Sequence, residues 1–249
     1  MRTYWIVCPL LFLAGFVDAI GGGGGLISLP AYLFAGLPIH NAIATNKLSS
    51  ACGTTLTTVR FVRKGLVSVR LAVPSVIAAM MGSFCGARLS LMMSEDVMRT
   101  VLLIVLPAAA FCVLNPHLFP DRADETLVLN RRTYVTAVIA AFVIGAYDGF
   151  YGPGTGTFLI IAFTVFAKMS VRPANAQSKV INLTTNITSL VVFLHSGQVL
   201  ILLGLVGAVC NMLGSYIGSG LVLTKGTKIV RPIILIVLAL LFAKLLFRF

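Results

Sequence analysis

The stretch GFVDAIGGGGGLISLPAYLFAGL, at residues 15–37, decides the fold, because an apolar helix meets five consecutive glycines there. Glycine has no Cβ and loses the most backbone freedom in a helix, so the helix is predicted to break within residues 21–25. The apolar segment that follows has 12 residues, at positions 26–37. Such a helix is about 18 Å long, against a hydrocarbon core of about 30 Å. It cannot cross a bilayer alone.

A second stretch of the same design, GAYDGFYGPGTGTFLIIAFTVFA, occupies residues 145–167. A shift of 130 residues aligns the two stretches and pairs Gly15, Asp18, Gly22 and Gly24 with Gly145, Asp148, Gly152 and Gly154. A shift of 132 aligns residues 40–100 with residues 172–232, and 15 of these 61 positions are identical. The chain is therefore predicted to contain two copies of one unit.

The composition assigns both copies to a membrane. Of the 249 residues, 58% are apolar and 10% are charged, whereas a soluble domain is about 45–50% apolar and about 25% charged. Apolar segments lie at residues 3–20, 26–37, 41–62, 66–92, 97–119, 133–150, 156–167, 173–194, 198–223 and 229–247. We expect an all-α polytopic membrane protein of about ten helical segments. Its parts are residues 1–119 (first five-segment repeat), 120–132 (linker) and 133–249 (second repeat).

The loop charges predict how the two repeats are oriented. The loop after the third segment carries four basic residues in the first copy (Arg60, Arg63, Lys64 and Arg70), and its equivalent in the second copy carries only His195. The next loop reverses the bias, with Glu95 and Asp96 in the first copy and three basic residues at 225–231 in the second. By the positive-inside rule, equivalent loops lie on opposite faces, with the linker in the cytoplasm and both termini outside. An inverted repeat with helices broken by glycine at equivalent points is typical of a binding site near the membrane midplane.

The glycine breaks are the first candidate site. A helix that starts after such a break presents free N–H groups and the positive end of its dipole, which suit an anion. The candidate residues here are Gly22, Gly24, Gly25, Gly152, Gly154 and Thr155. The alternative is that these glycines only permit tight hairpins and close packing. We interpret a further set in that second way, because small residues four apart let membrane helices approach: Gly82, Gly86, Gly214 and Gly218.

Polar stripes in two otherwise apolar helices are the second candidate site. They lie in ATNKLSSACGTTLTT at residues 44–58 and in AQSKVINLTTNITS at residues 176–189. Residues three or four apart share a helix face, so these side chains can line one cavity. The candidate binding residues are Asn46, Lys47, Ser50, Gln177, Ser178, Lys179 and Asn182, and Asn186 extends the second stripe. For the hydroxyl groups the alternative is a bond to a carbonyl of their own helix.

Four charged residues stand at equivalent positions of the two copies. Asp18 and Asp148 precede the glycine breaks, and Lys47 and Lys179 lie in the polar stripes. A charge inside a membrane is costly, so each is expected to be paired or functional. In one hypothesis, Asp18 forms a structural ion pair with one lysine and Asp148 with the other. In the second, a lysine attracts an anion while an aspartate exchanges a coupling proton.

Other kinds of function find no support in the sequence. The three histidines are scattered and the five cysteines have no metal-binding spacing, so neither a metal nor a cofactor is predicted. The glycine run is not followed by the GKS or GKT of a nucleotide-binding loop, and no catalytic triad or carboxylate pair appears, so we expect no enzyme. The net charge of +12 comes from basic loops and does not indicate nucleic acid. The first 19 residues imitate a signal peptide, but their counterpart in the second repeat predicts that they are retained.

Residues 15–50 and 145–182 resemble the two signature regions of the TauE/SafE family, which comprises sulfite exporters and organosulfonate permeases. The resemblance extends over nearly the whole chain in length and repeat order, and its specific elements are the paired glycine motifs followed by ATNK and AQSK. It implies a carrier in the inner membrane for sulfite, sulfoacetate or another small sulfur-containing anion. The second copy has Gln177-Ser178 where the first has Thr45-Asn46, so the halves are expected to contribute unequally to the ligand.

The predicted function is that of a secondary transporter, which moves a small sulfur-containing anion by alternating access, with protons as the candidate coupling ion. A passive anion channel and a carrier of another small organic anion are the alternatives. A subunit of a larger membrane assembly is a third hypothesis.

Overall fold

The computed structural model describes residues 2–114 and 129–225, and these parts of the chain are built of helices. The helices are α1 (Arg2–Gly21), α2 (Gly25–Phe34), α3 (Ile39–Arg63), α4 (Val69–Met92), α5 (Glu95–Leu114), α6 (Arg131–Phe150), α7 (Thr155–Ile161), α8 (Val171–His195) and α9 (Ile201–Lys225). A π-helical turn, Ala162–Phe166, continues α7. These elements correspond to nine of the ten predicted segments. The tenth, at 229–247, and most of the linker lie outside the described residues.

The length and polarity of the helices fit a membrane protein. Among the described residues, four helical segments are long and apolar enough to cross a bilayer: Thr3–Gly21, Val69–Met92, Arg131–Phe150 and Ile201–Thr224. Helices α3 and α8 have 25 residues each, but both carry the polar stripes. The predicted short segments are short in the structure as well, since α2 has 10 residues and α7 has seven, followed by the five of its π-turn. Gly36, in a left-handed conformation with φ of 86°, follows the end of α2.

Two pairs of helices pack through glycines. In the pair α1 and α9, a Cβ on Gly214 or Gly218 would meet the carbonyl oxygen of Phe12 or Phe16. In the pair α4 and α6, a Cβ on Gly82 or Gly86 would meet the carbonyl oxygen of Phe142 or Ala146. Residue numbers rise together along each contact, so the helices of each pair run parallel. These contacts confirm that the four glycines serve close helix packing.

The two polar helices, α3 and α8, run antiparallel. Near the end of α3, the hydroxyl of Thr58 donates to the carbonyl of Lys179 near the start of α8 (3.2 Å). Near the start of α3, the amide of Asn41 donates to the carbonyl of Gln198, which follows α8 (2.8 Å). Residues of both polar stripes, among them Ser50 and Asn186, line one small cavity.

The outer surface of the bundle is apolar. Large side chains on α4 and α9 are more than half exposed, among them Ile77 (57%), Met81 (60%), Leu202 (70%) and Leu213 (57%). A surface of this kind suits a lipid environment, where apolar side chains need no cover. Buried positions hold many polar side chains instead, including both stripe lysines.

Candidate functional site

The two glycine-broken hairpins meet at the centre of the molecule. The backbones of Gly22 and Gly156 lie so close that a Cβ on either residue would overlap the other. The hydroxyl of Thr157 donates to the carbonyl of Gly21 (2.9 Å), which joins α7 to the end of α1. The α1–α2 hairpin of the first half therefore touches the α6–α7 hairpin of the second half directly.

Glycine is required at the breaks for two different reasons. Gly22, Gly152 and Gly154 have φ of 80°, 100° and 84°, in the left-handed region that other residues rarely adopt. Gly24 has helical φ and is needed for close approach instead, because a Cβ there would lie 2.6 Å from the Cβ of Asp18. The predicted break after α1 is confirmed.

The four charged residues form two ion pairs, one buried and one part-buried, and each joins the two halves. The Nζ of Lys47 on α3 lies 2.8 Å from the Oδ2 of Asp148 on α6. The Nζ of Lys179 on α8 lies 2.8 Å from the Oδ2 of Asp18 on α1. The prediction that each aspartate has a lysine partner is confirmed, and the partner comes from the other repeat in both cases.

The lysines also satisfy the ends of the broken helices. Each Nζ donates a second hydrogen bond to the backbone carbonyl of the aspartate with which it pairs, Asp148 for Lys47 and Asp18 for Lys179. These carbonyls lie in the last turns of α6 and α1, where the helix dipole is negative and a cation is stabilising. In α1 the amide of Asn175 also donates to the carbonyl of Ile20 (3.0 Å).

A small polar cavity lies between the hairpins and the stripe helices. Its lining consists of charged side chains, amides, hydroxyls and glycine backbone: Asp18, Gly22, Gly25, Asn46, Lys47, Ser50, Asp148, Gly152, Thr155, Gly156, Asn182 and Asn186. Its volume is about 20 Å³, which is room for about one water molecule. A space of this volume is too small for an oxyanion.

The cavity contains some of the predicted site residues and leaves others outside. Ten of them line it, and the five that do not are Gly24, Gly154, Gln177, Ser178 and Lys179. The hydroxyl of Ser178 donates to the carbonyl of Asn175 in its own helix. Gln177 is buried, and its amide atoms have no partner among the described residues.

Sequence reasoning missed Gly156. At the shift of 130 its equivalent is Leu26, so the repeat carried no signal for it. Only the contact with Gly22 in the other hairpin reveals why a glycine stands there. Within residues 2–114 and 129–225, no three side chains of His, Cys, Asp or Glu come together as a metal centre would require.

Comparison with known proteins identifies the family. The model of the family described as "Sulfite exporter TauE/SafE" matches residues 7–245. The chain belongs to the TauE/SafE family. Among its TauE/SafE relatives, a probable membrane transporter protein YfcA of Escherichia coli (strain K12) is 38% identical over 99% of this chain and 93% of its own length.

Other relatives carry similar names. A probable membrane transporter protein ORF9 of a Sinorhizobium species is 35% identical over 91% of this chain and 85% of its own. A probable membrane transporter protein of Haemophilus influenzae is 32% identical over 95% of this chain and 91% of its own. No solved structure matches the chain. The family and the apolar helices together identify a multi-pass membrane protein of a transporter family.

Proposed function

We propose that this protein is a secondary transporter that moves a small sulfur-containing anion, sulfite or an organosulfonate, across the inner membrane by alternating access. The observation that carries the proposal is the small polar cavity between two glycine-broken hairpins, with buried amides and a lysine in its wall. Polar groups that are buried this deeply in a membrane protein commonly mark a substrate pathway. The family description, which names sulfite export, supports the class of substrate.

We propose further that the fold is an inverted repeat of residues 1–119 and 133–249, joined by a cytoplasmic linker at 120–132. The packing of the described helices supports this architecture, since α1 against α9 is matched by α6 against α4. The equivalent helices α3 and α8 run antiparallel, as inversion requires. The alignment of the repeats also maps one ion pair onto the other, because Lys47 corresponds to Lys179 and Asp148 to Asp18.

Transport in this proposal requires the hairpins to separate. An oxyanion with three or four oxygens does not fit a cavity of about 20 Å³, so in this proposal the cavity widens toward one side of the membrane at a time. Rocking of one repeat against the other around a fixed midplane site is the usual form of such motion. The anion then contacts the amides of Asn46 and Asn182 and the ammonium of Lys47, while Asp18 and Asp148 are the candidates for proton coupling.

Binding of sulfite to the purified protein, measured as a rise in melting temperature, tests the site. Asn182→Leu removes an amide from the cavity wall at similar volume and should lose most of the rise. Thr188→Val is the matched control on α8, because its hydroxyl bonds the carbonyl of Thr184 outside the cavity and the rise should remain. An equal effect of sulfite on both variants would contradict the proposed site.

Flux in liposomes that contain this protein alone tests transport itself. A carrier should saturate with sulfite and accumulate it against a concentration difference when a proton gradient is applied. Flux that is only downhill and does not saturate would favour the channel alternative. Sulfite that crosses no faster than in empty liposomes would contradict both.

A further inference from the structure

We propose that Asp18 is the proton-binding residue of this transporter and that the proton and the anion move in the same direction. The inference rests on the proposed function, and it adds to it the coupling residue, the stoichiometry and the direction. Three features of the cavity carry it: the balance of charge, the unequal surroundings of the two aspartates, and the backbone anchor of Lys179.

The charges of the ionised side chains at the cavity sum to zero. Asp18, Lys47 and Asp148 line it, and Lys179 is bonded to Asp18. A monovalent anion that entered this arrangement would leave one uncompensated negative charge beside two carboxylates, where the surroundings screen charge poorly. One proton on a carboxylate gives the site a net charge of +1, and the anion then restores neutrality. Proton and anion therefore favour each other's binding.

The two aspartates differ in how well their carboxylates are satisfied. Both oxygens of Asp148 have donors, Lys47 on Oδ2 (2.8 Å) and the hydroxyl of Thr155 on Oδ1 (2.7 Å). Asp18 has Lys179 on Oδ2, and no donor to its Oδ1 is present among the described residues. The side chain of Asp18 is 14% exposed and that of Asp148 is 3% exposed. Asp18 is thus the carboxylate with an oxygen free to take a proton.

The repeat explains this difference. At the shift of 130, the position of Thr155 is occupied in the first half by Gly25, which has no hydroxyl to offer. Gly25 lines the cavity beside Asp18. Because the first half has no hydroxyl at the position of Thr155, the Oδ1 of Asp18 has no donor among the described residues and remains accessible.

The helices around Asp18 supply few other charges. Lys179 comes from α8, Lys47 from α3 and Asp148 from α6 across the cavity. Arg60 of α3 donates to the carbonyl of Tyr216 and to the hydroxyl of Ser219 on α9. Helix α2 carries Tyr32, α9 carries Cys210, Tyr216 and Lys225, and α7 carries no titratable side chain. Of these, Tyr32, Cys210 and Tyr216 do not line the cavity, and neither does Cys52 of α3. Within the described residues, the charged side chains that share the cavity or an ion pair with Asp18 are the two lysines and Asp148.

Protonation frees positive charge without moving the lysine. The proton binds to the open Oδ1 of Asp18, and no other covalent bond changes. Lys179 keeps its hydrogen bond to the backbone carbonyl of Asp18. Its ammonium group stays at the end of α1, where it is no longer neutralised by the side chain and attracts the anion. Because one proton accompanies one monovalent anion, the step is electrically neutral, and an inward proton gradient drives uptake.

The test uses the full chain in liposomes, with methanesulfonate as a monovalent probe whose charge does not change in the working range of pH. Acidification of the outside should drive methanesulfonate inward, with one proton taken up per anion as read by a pH dye in the lumen. The accumulation should not change when the membrane potential is clamped. Anion that moves toward the acidic side, or that ignores the pH difference, would overturn the inference and leave transport intact. Failure of both sulfite and methanesulfonate to cross would overturn the transport proposal as well.

Binding measurements assign the proton to Asp18. The affinity of the wild-type protein for methanesulfonate should fall about tenfold per pH unit where Asp18 ionises in the free protein. In Asp18→Asn, which keeps an oxygen acceptor for Lys179, the affinity should not vary with pH. Asp96→Asn, a change to an exposed acid at the start of α5, is the matched control and should keep the wild-type slope. A wild-type slope in Asp18→Asn would exclude Asp18, and a flat wild-type profile would exclude coupled binding altogether.

Discussion

At the scale of single residues, the pairing of the buried charges makes the sharpest prediction. Lys47→Met leaves Asp148 charged and without its partner, which should lower the free energy of unfolding by about 3–5 kcal/mol. Adding Asp148→Asn removes the orphaned charge, so the double variant should recover much of this loss. The measurement is the melting temperature of the purified protein.

A matched double variant controls for general damage. Lys47→Met combined with Asp18→Asn breaks two separate ion pairs, because Asp18 is bonded to Lys179. Asp18 and Lys47 form no ion pair with each other, so this combination should not recover the loss. Recovery in this combination, and not in the first, would mean that the lysines pair within their own repeats.

At the scale of elements, the contact between the two hairpins predicts whether a glycine-to-alanine change raises or lowers the melting temperature. Gly156→Ala near the start of α7 should favour that helix by up to about 1 kcal/mol if the helix stood alone. In the folded protein the new Cβ overlaps the backbone of Gly22. We therefore expect a lower melting temperature, since the hairpins must move apart to make room for the new Cβ.

Gly197→Ala provides the comparison for that variant. Gly197 has φ of 71°, and a Cβ there would meet no heavy atom within 4 Å. The change should cost only the backbone strain of a left-handed alanine, about 1 kcal/mol, and should leave sulfite binding unchanged. If Gly156→Ala proved as stable as the wild type, direct contact between the hairpins would be contradicted.

At the scale of the whole molecule, the inverted repeat predicts sidedness. In a background without the five native cysteines, Lys64→Cys after α3 should react with an impermeant thiol reagent only from the cytoplasm. Ser196→Cys, at the equivalent loop after α8, should react only from outside. These loops lie at opposite ends of the antiparallel pair α3 and α8. Labelling of both from one side would exclude inversion.

Much of the candidate site could be predicted because its signals are local. A run of glycines interrupts a helix wherever it occurs, and a polar stripe in an apolar helix indicates a polar environment from its spacing alone. Residues such as Asn46, Ser50 and Asn182 were therefore identified from spacing, and they line the cavity. Gln177 and Ser178 lie in the same stripe as Asn182 but do not line the cavity. Which stripe residues line it depends on how α8 is rotated about its axis against its neighbours.

The sequence by itself determined the membrane class, the two copies, the helix breaks and the residues that must be buried as charges. These follow from composition, periodicity and backbone freedom, which are properties of short segments. Only the tertiary structure decided that Lys47 bonds Asp148 and Lys179 bonds Asp18, because equivalent positions in two copies leave pairing within a copy and pairing between copies equally compatible with the sequence. The tertiary structure also decided that Gly22 contacts Gly156 and that the cavity is small. Both depend on the approach of segments that are more than a hundred residues apart, and no local pattern encodes that distance.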